Sequence, residues 1–323
     1  MIWRSLQELP ANFGPCAVTI GNFDGVHRGH GHIMRRVADV ARRNAWKPAV
    51  LTFEPHPAKL VAPARAPRLL TTLDQRCALM EEQGIEEVVI LPFTHEIAGL
   101  TPEQFVKQIL AEKLKARAVM VGDNFRFGHK AAGDVQTLRS LGQKYGFVVE
   151  AVQPIAIRGR IVSSTEIRRL VEAGQVSQAC RQLGRAYALE GRVVRGHGVG
   201  GKQTVPTLNL ATGAEILPAR GVYITKTRDL GRSREWPSIT NVGFRPTFGG
   251  DEQLNIETFL LSPLDGETPE EIRVQFLRWV REERKFDNPE ALKTQIFRDV
   301  ARAQAYFRRL GELAELDHCR LTL

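Results

Sequence analysis

Two histidines, His27 and His30, flank Arg28 and Gly29 and follow the run Gly21-Asn22-Phe23-Asp24-Gly25. On one helical turn, residues three apart share a face. Ahead of them, Ala17-Val18-Thr19-Ile20 reads as a buried strand. Behind them, Ile33, Met34, Val37, Val40 and Ala41 recur at helical spacing. The histidines therefore fall where a parallel strand hands over to a helix. At such a junction helix N–H groups point at an anion, and α/β folds bind phosphates there. Two surface histidines in a turn are the competing account. The strand before them and the glycine-bounded turn favour the phosphate site.

Other residues could do chemistry beside them. Thr52-Phe53-Glu54-Pro55-His56-Pro57 carries a histidine between two prolines, which makes a stiff wall. Gly122-Asp123-Asn124-Phe125-Arg126-Phe127-Gly128 places aromatics in a loop, where they contact a flat ligand or pack the loop itself. Ser163-Ser164-Thr165-Glu166-Ile167-Arg168 has hydroxyls ahead of a helix, which are first of all N-caps. Arg168, one turn in, can also reach a triphosphate. Gly196, Gly198, Gly200 and Gly201 crowd one segment. Such a loop suits a phosphate cradled by backbone N–H groups, or a linker. It runs on into Val205-Pro206-Thr207-Leu208-Asn209-Leu210, whose character is ordered.

Elements must position these groups. Ala49–Phe53, Val88–Leu91, Ala118–Val121 and Phe147–Val149 are further apolar runs. Helix-like segments lie between them, among them Asp74–Gln83 and Glu103–Leu114, the second opened by Thr101-Pro102. Near-continuous apolar strands separated by helices predict a parallel sheet covered on both faces, with ligands at the strands' carboxyl ends. Residues 166–183 read as one helix leading out of this domain. Beyond Arg185, Gly191–Arg195, Gly221–Thr225, Ser238–Val242 and Asn255–Leu261 partly alternate between Gly/Pro turns. That pattern predicts an antiparallel sheet or small barrel. A terminal helix opens at Asn288-Pro289, with Leu292, Ile296, Val300, Ala303, Tyr306, Phe307 and Leu310 as its apolar stripe. The expected architecture is a Rossmann-like α/β domain over 1–183 and a β-barrel domain with a terminal helix over 184–323.

The His-x-Gly-His run resembles the signature of the nucleotidylyltransferase superfamily. Taken in order, Gly21–His27 with Gly29-His30, Thr52–Pro57, Asp123–Gly128, Ser163-Ser164-Thr165 and Ile167-Arg168 resemble the adenylyltransferase half of the bacterial bifunctional riboflavin kinase/FAD synthetase family. The second half resembles its kinase module. There the matching pieces are the Gly-rich loop, Pro206-Thr207-x-Asn209, Gly221-Val222-Tyr223, Asn241-Val242-Gly243-x-Arg245-Pro246-Thr247-Phe248, Glu257-Thr258, and Arg281 with Glu283, Lys285 and Phe286. The resemblance implies that riboflavin is phosphorylated to FMN and FMN adenylylated to FAD, with ATP as co-substrate and Mg²⁺ as cofactor. By it, His27 and His30 meet ATP phosphates, and Gly21, Asn22, Phe23, Asp24, Gly25 and Gly29 line that site. Ser163, Ser164, Thr165 and Arg168 close over the triphosphate, while Asn124, Phe127, Pro55 and Pro57 face FMN. In the kinase module it implies Mg²⁺·ATP on Thr207 and Asn209, and Glu257 as the base for the riboflavin hydroxyl. Gly196, Gly198, Gly200, Asn241 and Arg281 complete that site. Thr204-Val205 stand where the family usually has Gly-Phe, and Phe259 where it commonly has His. These departures touch the walls and spare the metal and base positions. A monofunctional FAD synthetase with a weakened kinase module is the alternative they raise.

Composition is that of a folded protein: 323 residues, 43% hydrophobic and 25% charged. The formal net charge of +9 suits anionic partners. The basic residues are dispersed, so most belong to a solvated surface. Cys16, Cys77, Cys180 and Cys319 are far apart and form no Cys-x-x-Cys, which signals neither zinc nor a redox pair. Dispersed cysteines and no apolar signal core predict reduced thiols and a cytoplasmic setting. A tRNA-charging enzyme also uses a His-x-Gly-His type site. No RNA-binding motif supports that reading, and the Gly-rich barrel would go unexplained. Small-molecule substrates are expected, with no nucleic-acid, membrane or protein partner.

Overall fold

Five apolar runs become strands of one parallel sheet. The computed structural model describes residues 1–194, 207–232, 234–246, 252–264 and 266–311. They form two units, Met1–Ser164 and Thr165–Leu323. In the first, the strands are β1 (Ile2–Trp3), β2 (Cys16–Ile20), β3 (Lys47–Glu54), β4 (Glu87–Pro92), β5 (Ala116–Gly122) and β6 (Val148–Val152). Their order is β1-β4-β3-β2-β5-β6, and every neighbouring pair is parallel. The short edge strand β1 carries no periodicity that the sequence could show. Trp3 Nε1 donates to Glu87 Oε2 at 2.6 Å and helps fix it there. From β2 the chain steps one way to β3 and β4, then returns to β5 on the other side. A sheet of this kind opens a crevice at the carboxyl ends where the order reverses.

Helices cover both faces: α1 (Arg28–Asn44), α2 (Pro57–Val61), α3 (Leu73–Glu81), α4 (His95–Gly99), α5 (Pro102–Phe105) and α6 (Val135–Tyr145). Side chains alternate along a strand. Val18 and Ile20 therefore join Leu51, Val119 and Val121 in one core, while Ala17 joins Val50, Met34 and Val37 in the other. Each such Val, Leu or Ile contributes about 1.5–3 kcal/mol when fully buried. The helix expected over 103–114 is wound differently: after α5, capped by Thr101, it runs on as a π-helix over Val106–Lys113. Phe105 and Leu110, and likewise Ile109 and Leu114, are buried at five-residue spacing. The i→i+5 winding keeps such pairs on one face. A hairpin of β7 (Ala156–Ile157) and β8 (Arg160–Ile161) stands outside the parallel sheet.

The segment expected as one helix is two, α7 (Ser164–Glu172) and α8 (Val176–Leu183). Gly174, at φ +70°, turns the chain between them, and its missing side chain leaves room for the Trp279 ring. The second unit is then a closed antiparallel barrel in the order β10-β13-β12-β11-β14-β9. Its strands are β9 (Tyr187–Val194), β10 (Thr207–Ala211), β11 (Gly221–Asp229), β12 (Glu235–Pro246), β13 (Glu252–Leu260) and β14 (Glu271–Glu282). Hydroxyls occupy part of its interior. Thr225 bonds Ser238 and Thr240, Ser238 bonds Thr227, and Thr240 bonds Thr258, all within 2.7–2.9 Å and fully buried. Helix α9 (Pro289–Arg309) packs Val300, Ala303 and Phe307 on the outward Val222, Ile224, Ile239 and Leu261. Leu292 and Leu310, expected on the same stripe, are exposed. Leu292 lies in the first turn of α9 and Leu310 is its C-cap, both outside that cluster.

Cys16 and Cys77 are buried free thiols and Cys180 is half-buried; Cys319 lies outside the described residues. Burial, and to a lesser extent the nearby Glu87, pushes the Cys16 thiol up to about 12. Among the described residues no helix is long and apolar enough to cross a membrane.

Candidate active sites

The carboxyl end of β2 delivers the histidines. His27 is the N-cap of α1, and its Nδ1 accepts from the His30 backbone N–H at 3.2 Å. That bond makes Nδ1 the acceptor, so the neutral ring carries its proton on Nε2. The two imidazoles stack at 3.6 Å between centroids, and Phe23 meets His30 edge-on at 5.2 Å. A Cβ on Gly29 would lie 3.1 Å from His27 Cε1, so the glycine lets the ring rest on the helix.

The loop between β2 and α1 is anchored from outside. The Asp24 carboxylate accepts from Leu70 N and Thr71 N and from the Thr71 hydroxyl at 3.0–3.2 Å, and Thr71 Oγ1 accepts from Gly25 N. Arg76, fully buried on α3, donates from Nη1 to Asn22 O and from Nη2 to Glu54 Oε2, both at 2.9 Å. The Asn22 amide meets His56 Nε2 at 3.1 Å, and His56 Nδ1 caps α2 through Ala58 N. Ser164 Oγ donates to Asp24 O at 2.9 Å, so this hydroxyl holds the loop as well as opening α7. These contacts sustain Phe23 and Val26 at φ +51° and +34°, where non-glycine residues are strained. Phe23 and Asp24 point into the protein, at 4% and 3% exposure. The expectation for this run, that its backbone lines the site, does not need either side chain exposed.

At the ends of β3 and β5 stand the other expected residues. Pro55 and Asn124 are exposed and Pro57 is half-buried at the start of α2. Phe127 is buried, pairs its backbone with Gly133, and stacks on Phe125 at 5.5 Å, with Phe105 behind it at 5.9 Å. The half-buried ring of that motif is Phe125. Ser163 is half-buried and Thr165 exposed. On α7, Arg169 is held by Glu166 through both nitrogens, whereas Arg168 is the half-buried arginine.

In the barrel, register assembles the second group. Asn209 on β10 pairs with Glu257 on β13, and Glu257 pairs with Asn241 on β12. Directly opposed residues point to the same face with Cβ atoms about 5 Å apart. Leu208 and Thr258, one position along, are buried inside, so this row faces outward. Thr207, two residues before Asn209, shares its face. Asn241 Nδ2 donates to Glu283 Oε1 at 3.4 Å. Arg281, expected to bind substrate, reaches Asp299 of α9 at 2.8 Å and lies over the Phe286 ring. Phe259 packs towards the α9 core. Gly196, Gly198, Gly200, Thr204 and Val205 lie outside the described residues. Among the described residues, no three His, Cys, Asp or Glu side chains gather as a metal cage. Thr207 and Asn209 offer neutral oxygen donors, which fit an ion that keeps water and phosphate ligands, such as Mg²⁺.

Thr71 and Arg76 were absent from the sequence reading. One signal for Arg76 was available: it occupies the buried stripe of α3 with Cys77 and Met80. A charge on such a stripe calls for a buried partner.

Comparison with known proteins completes the description. A family model described as FAD synthetase matches residues 9–166, and one described as riboflavin kinase matches residues 183–307. The chain is similar to the bifunctional riboflavin kinase/FMN adenylyltransferase of Pseudomonas fluorescens, 36% identical over 94% of this chain and 96% of that one. The protein of that name from Escherichia coli K12 is 34% identical over 90% and 93%. A solved structure described as a macrolide-efflux protein from Streptococcus pneumoniae superposes with a TM-score of 0.81 at 25% identity, covering 93% of this chain and 96% of its own.

Proposed function

The chain belongs to the bifunctional riboflavin kinase/FMN adenylyltransferase family, and from that premise we propose how its residues carry the two reactions. It phosphorylates riboflavin to FMN and adenylylates FMN to FAD, with ATP as the donor in both steps and pyrophosphate released in the second. We assign adenylylation to residues 1–183 and phosphorylation to residues 184–323. Neither half gives the monofunctional alternative an observation in its favour.

For adenylylation, an FMN phosphate oxygen attacks the α-phosphorus of ATP. The bond to pyrophosphate breaks and its electron pair leaves with that group. Both reactants are anions, so the protein supplies fixed donors and close placement. The observation that carries this assignment is the stacked His27–His30 pair at the start of α1. His27 Nε2–H, the His30 ring and the first N–H groups of α1 would stabilise the phosphates. Gly21, Asn22 and Gly25 would line the nucleotide, with Ser163, Thr165 and Arg168 closing over it. Asn124, Pro55 and Pro57 would face the flavin, with Phe127 acting through the Phe125 ring that it supports.

For phosphorylation, Glu257 would take the proton of the riboflavin 5′-hydroxyl as that oxygen attacks the γ-phosphorus of ATP, and the bond from that phosphorus to the β-phosphate oxygen breaks, its electron pair leaving with ADP. Asn241 and Asn209 flank it in register. Thr207 and Asn209 would hold Mg²⁺, which supplies charge neutralisation at the phosphates. Gly196, Gly198 and Gly200 would add backbone donors. Arg281 would shape the site from behind, through Asp299. We place the enzyme in the cytoplasm, where free thiols persist. The test is chromatography of products after incubation with riboflavin, ATP and Mg²⁺. FMN should form first and FAD after it. FAD from supplied FMN, with no FMN from riboflavin at any ATP level, would overturn the kinase assignment.

A further inference from the structure

Arg76 belongs to no motif, yet its guanidinium joins the two loops that emerge beside each other from the sheet. At 1% exposure it is among the largest fully buried side chains of the described residues. Nη1 holds the Asn22 carbonyl, in the loop after β2, and Nη2 holds Glu54, the last residue of β3. The next residues after Glu54 are Pro55, His56 and Pro57, and His56 in turn meets the Asn22 amide. Asn22 is thus gripped by its carbonyl and by its side chain. Its carbonyl fixes the peptide plane from which Phe23 turns into φ +51°, and Phe23 is the ring that abuts His30. Helix α3 makes this grip rigid. Its capping box, Thr72 with Gln75, sets the first turn, and Asp24 locks the residues just before it. Arg76 follows one turn later. A lysine has one ammonium and cannot span both acceptors as the planar fork does.

We propose that Arg76 is a positioning residue for FMN adenylylation, setting the Asn22 carbonyl and the Glu54–Pro57 turn so that the phosphate donors and the wall keep their mutual spacing. The inference rests on the assignment of the His27–His30 loop as the nucleotide site. Misplacing a bound reactant by about 1 Å can cost on the order of 10²-fold. Neither partner of Arg76 is a reacting group, so its loss should act through placement.

The full-length protein tests this with Arg76→Met, Arg76→Lys and, as a control on the site itself, His27→Ala. Initial rates are taken for FMN adenylylation at varied ATP, and for riboflavin phosphorylation, per mole of folded protein. Arg76→Met should raise KM for ATP and lower kcat/KM by about 30-fold or more, within the range that misplacement commands. Arg76→Lys should recover part of that loss, and riboflavin phosphorylation should stay within twofold for both. A merely structural arginine would lower the folded fraction while leaving KM and kcat per folded molecule unchanged, and that result overturns the proposal. So does an Arg76→Lys protein with native parameters, which decides the matter if Arg76→Met does not fold. If His27→Ala also adenylylates FMN normally, the site assignment has failed; if only the Arg76 variants do, the positioning role alone has failed.

Discussion

The two sites are held in opposite ways. The histidine site sits on the first turn of α1 and the loop before it, and that loop has no ladder of its own to define it. It is held by bonds from elsewhere: Asp24 to residues 70 and 71, Arg76 to Asn22, His56 to the Asn22 amide and Ser164 to Asp24. The barrel row sits on strands. Asn209, Glu257 and Asn241 are brought together by backbone register, and their neighbours Thr258 and Thr240 point inward as a matter of alternation. The difference teaches where each site is vulnerable. A loop site fails through its anchors, which need not touch substrate. A strand site fails through its own side chains, because the ladder outlasts any one of them.

Four substitutions sharpen that contrast, and the largest effect falls on the strand site. Glu257→Gln keeps shape and removes the proton acceptor. Riboflavin phosphorylation should drop by at least about 10²-fold, with FMN adenylylation and melting temperature unchanged. Steady-state rates for the two half-reactions check it, and near-normal phosphorylation would remove Glu257 as the base. His27→Ala should cost about 10²-fold in FAD formation by removing one fixed donor, and riboflavin phosphorylation should persist. Equal loss of both activities in a folded protein would contradict the division between halves.

The next two effects are on stability. Asp24→Ala leaves Leu70 N and Thr71 N without their acceptor in a buried place, at a cost of about 3 kcal/mol. Urea unfolding should show it, and adenylylation should weaken with it while phosphorylation holds. A stable Asp24→Ala protein with normal FAD synthesis would mean the loop needs no such anchor. Thr240→Val, in the barrel, removes a hydroxyl bonded to Thr225 and Thr258. It should cost about 1–2 kcal/mol and leave Glu257 working, since register and not the hydroxyl ladder places that carboxylate. A large loss of kinase rate at unchanged stability would show that the interior network reaches the site.

Much of this was legible in one dimension. The apolar runs at Ala17–Ile20, Ala49–Phe53, Val88–Leu91 and Ala118–Val121 became parallel strands because their neighbours on both faces exclude water. The expected capping residues Thr101 and Asn288 hold helix N–H groups as their types predict. Other features were hidden. The break at Gly174 depends on a tryptophan more than a hundred residues away, and the π winding after α5 depends on which spacing the core accepts. Phe127 and Phe125 are equivalent on paper; only the packing of Phe105 decides which ring is buried.

Resemblance to the family implied Glu257 as a base and Thr207 and Asn209 as oxygen donors; the sequence by itself determined paired histidines at a strand–helix junction and two domains of different texture. These follow from residue type and short-range spacing, which local geometry translates directly. Tertiary structure alone decided which side chains are buried and which hydrogen bonds hold the histidine loop in place. The Asp24 carboxylate turns out to tie its loop to residues 70 and 71, Arg281 bonds Asp299, and Arg76 emerged from no motif at all. Hydrogen bonding is the reason: a buried charge must meet partners, and those partners lie 22 to 54 residues away for Arg76 and 18 residues away for Arg281.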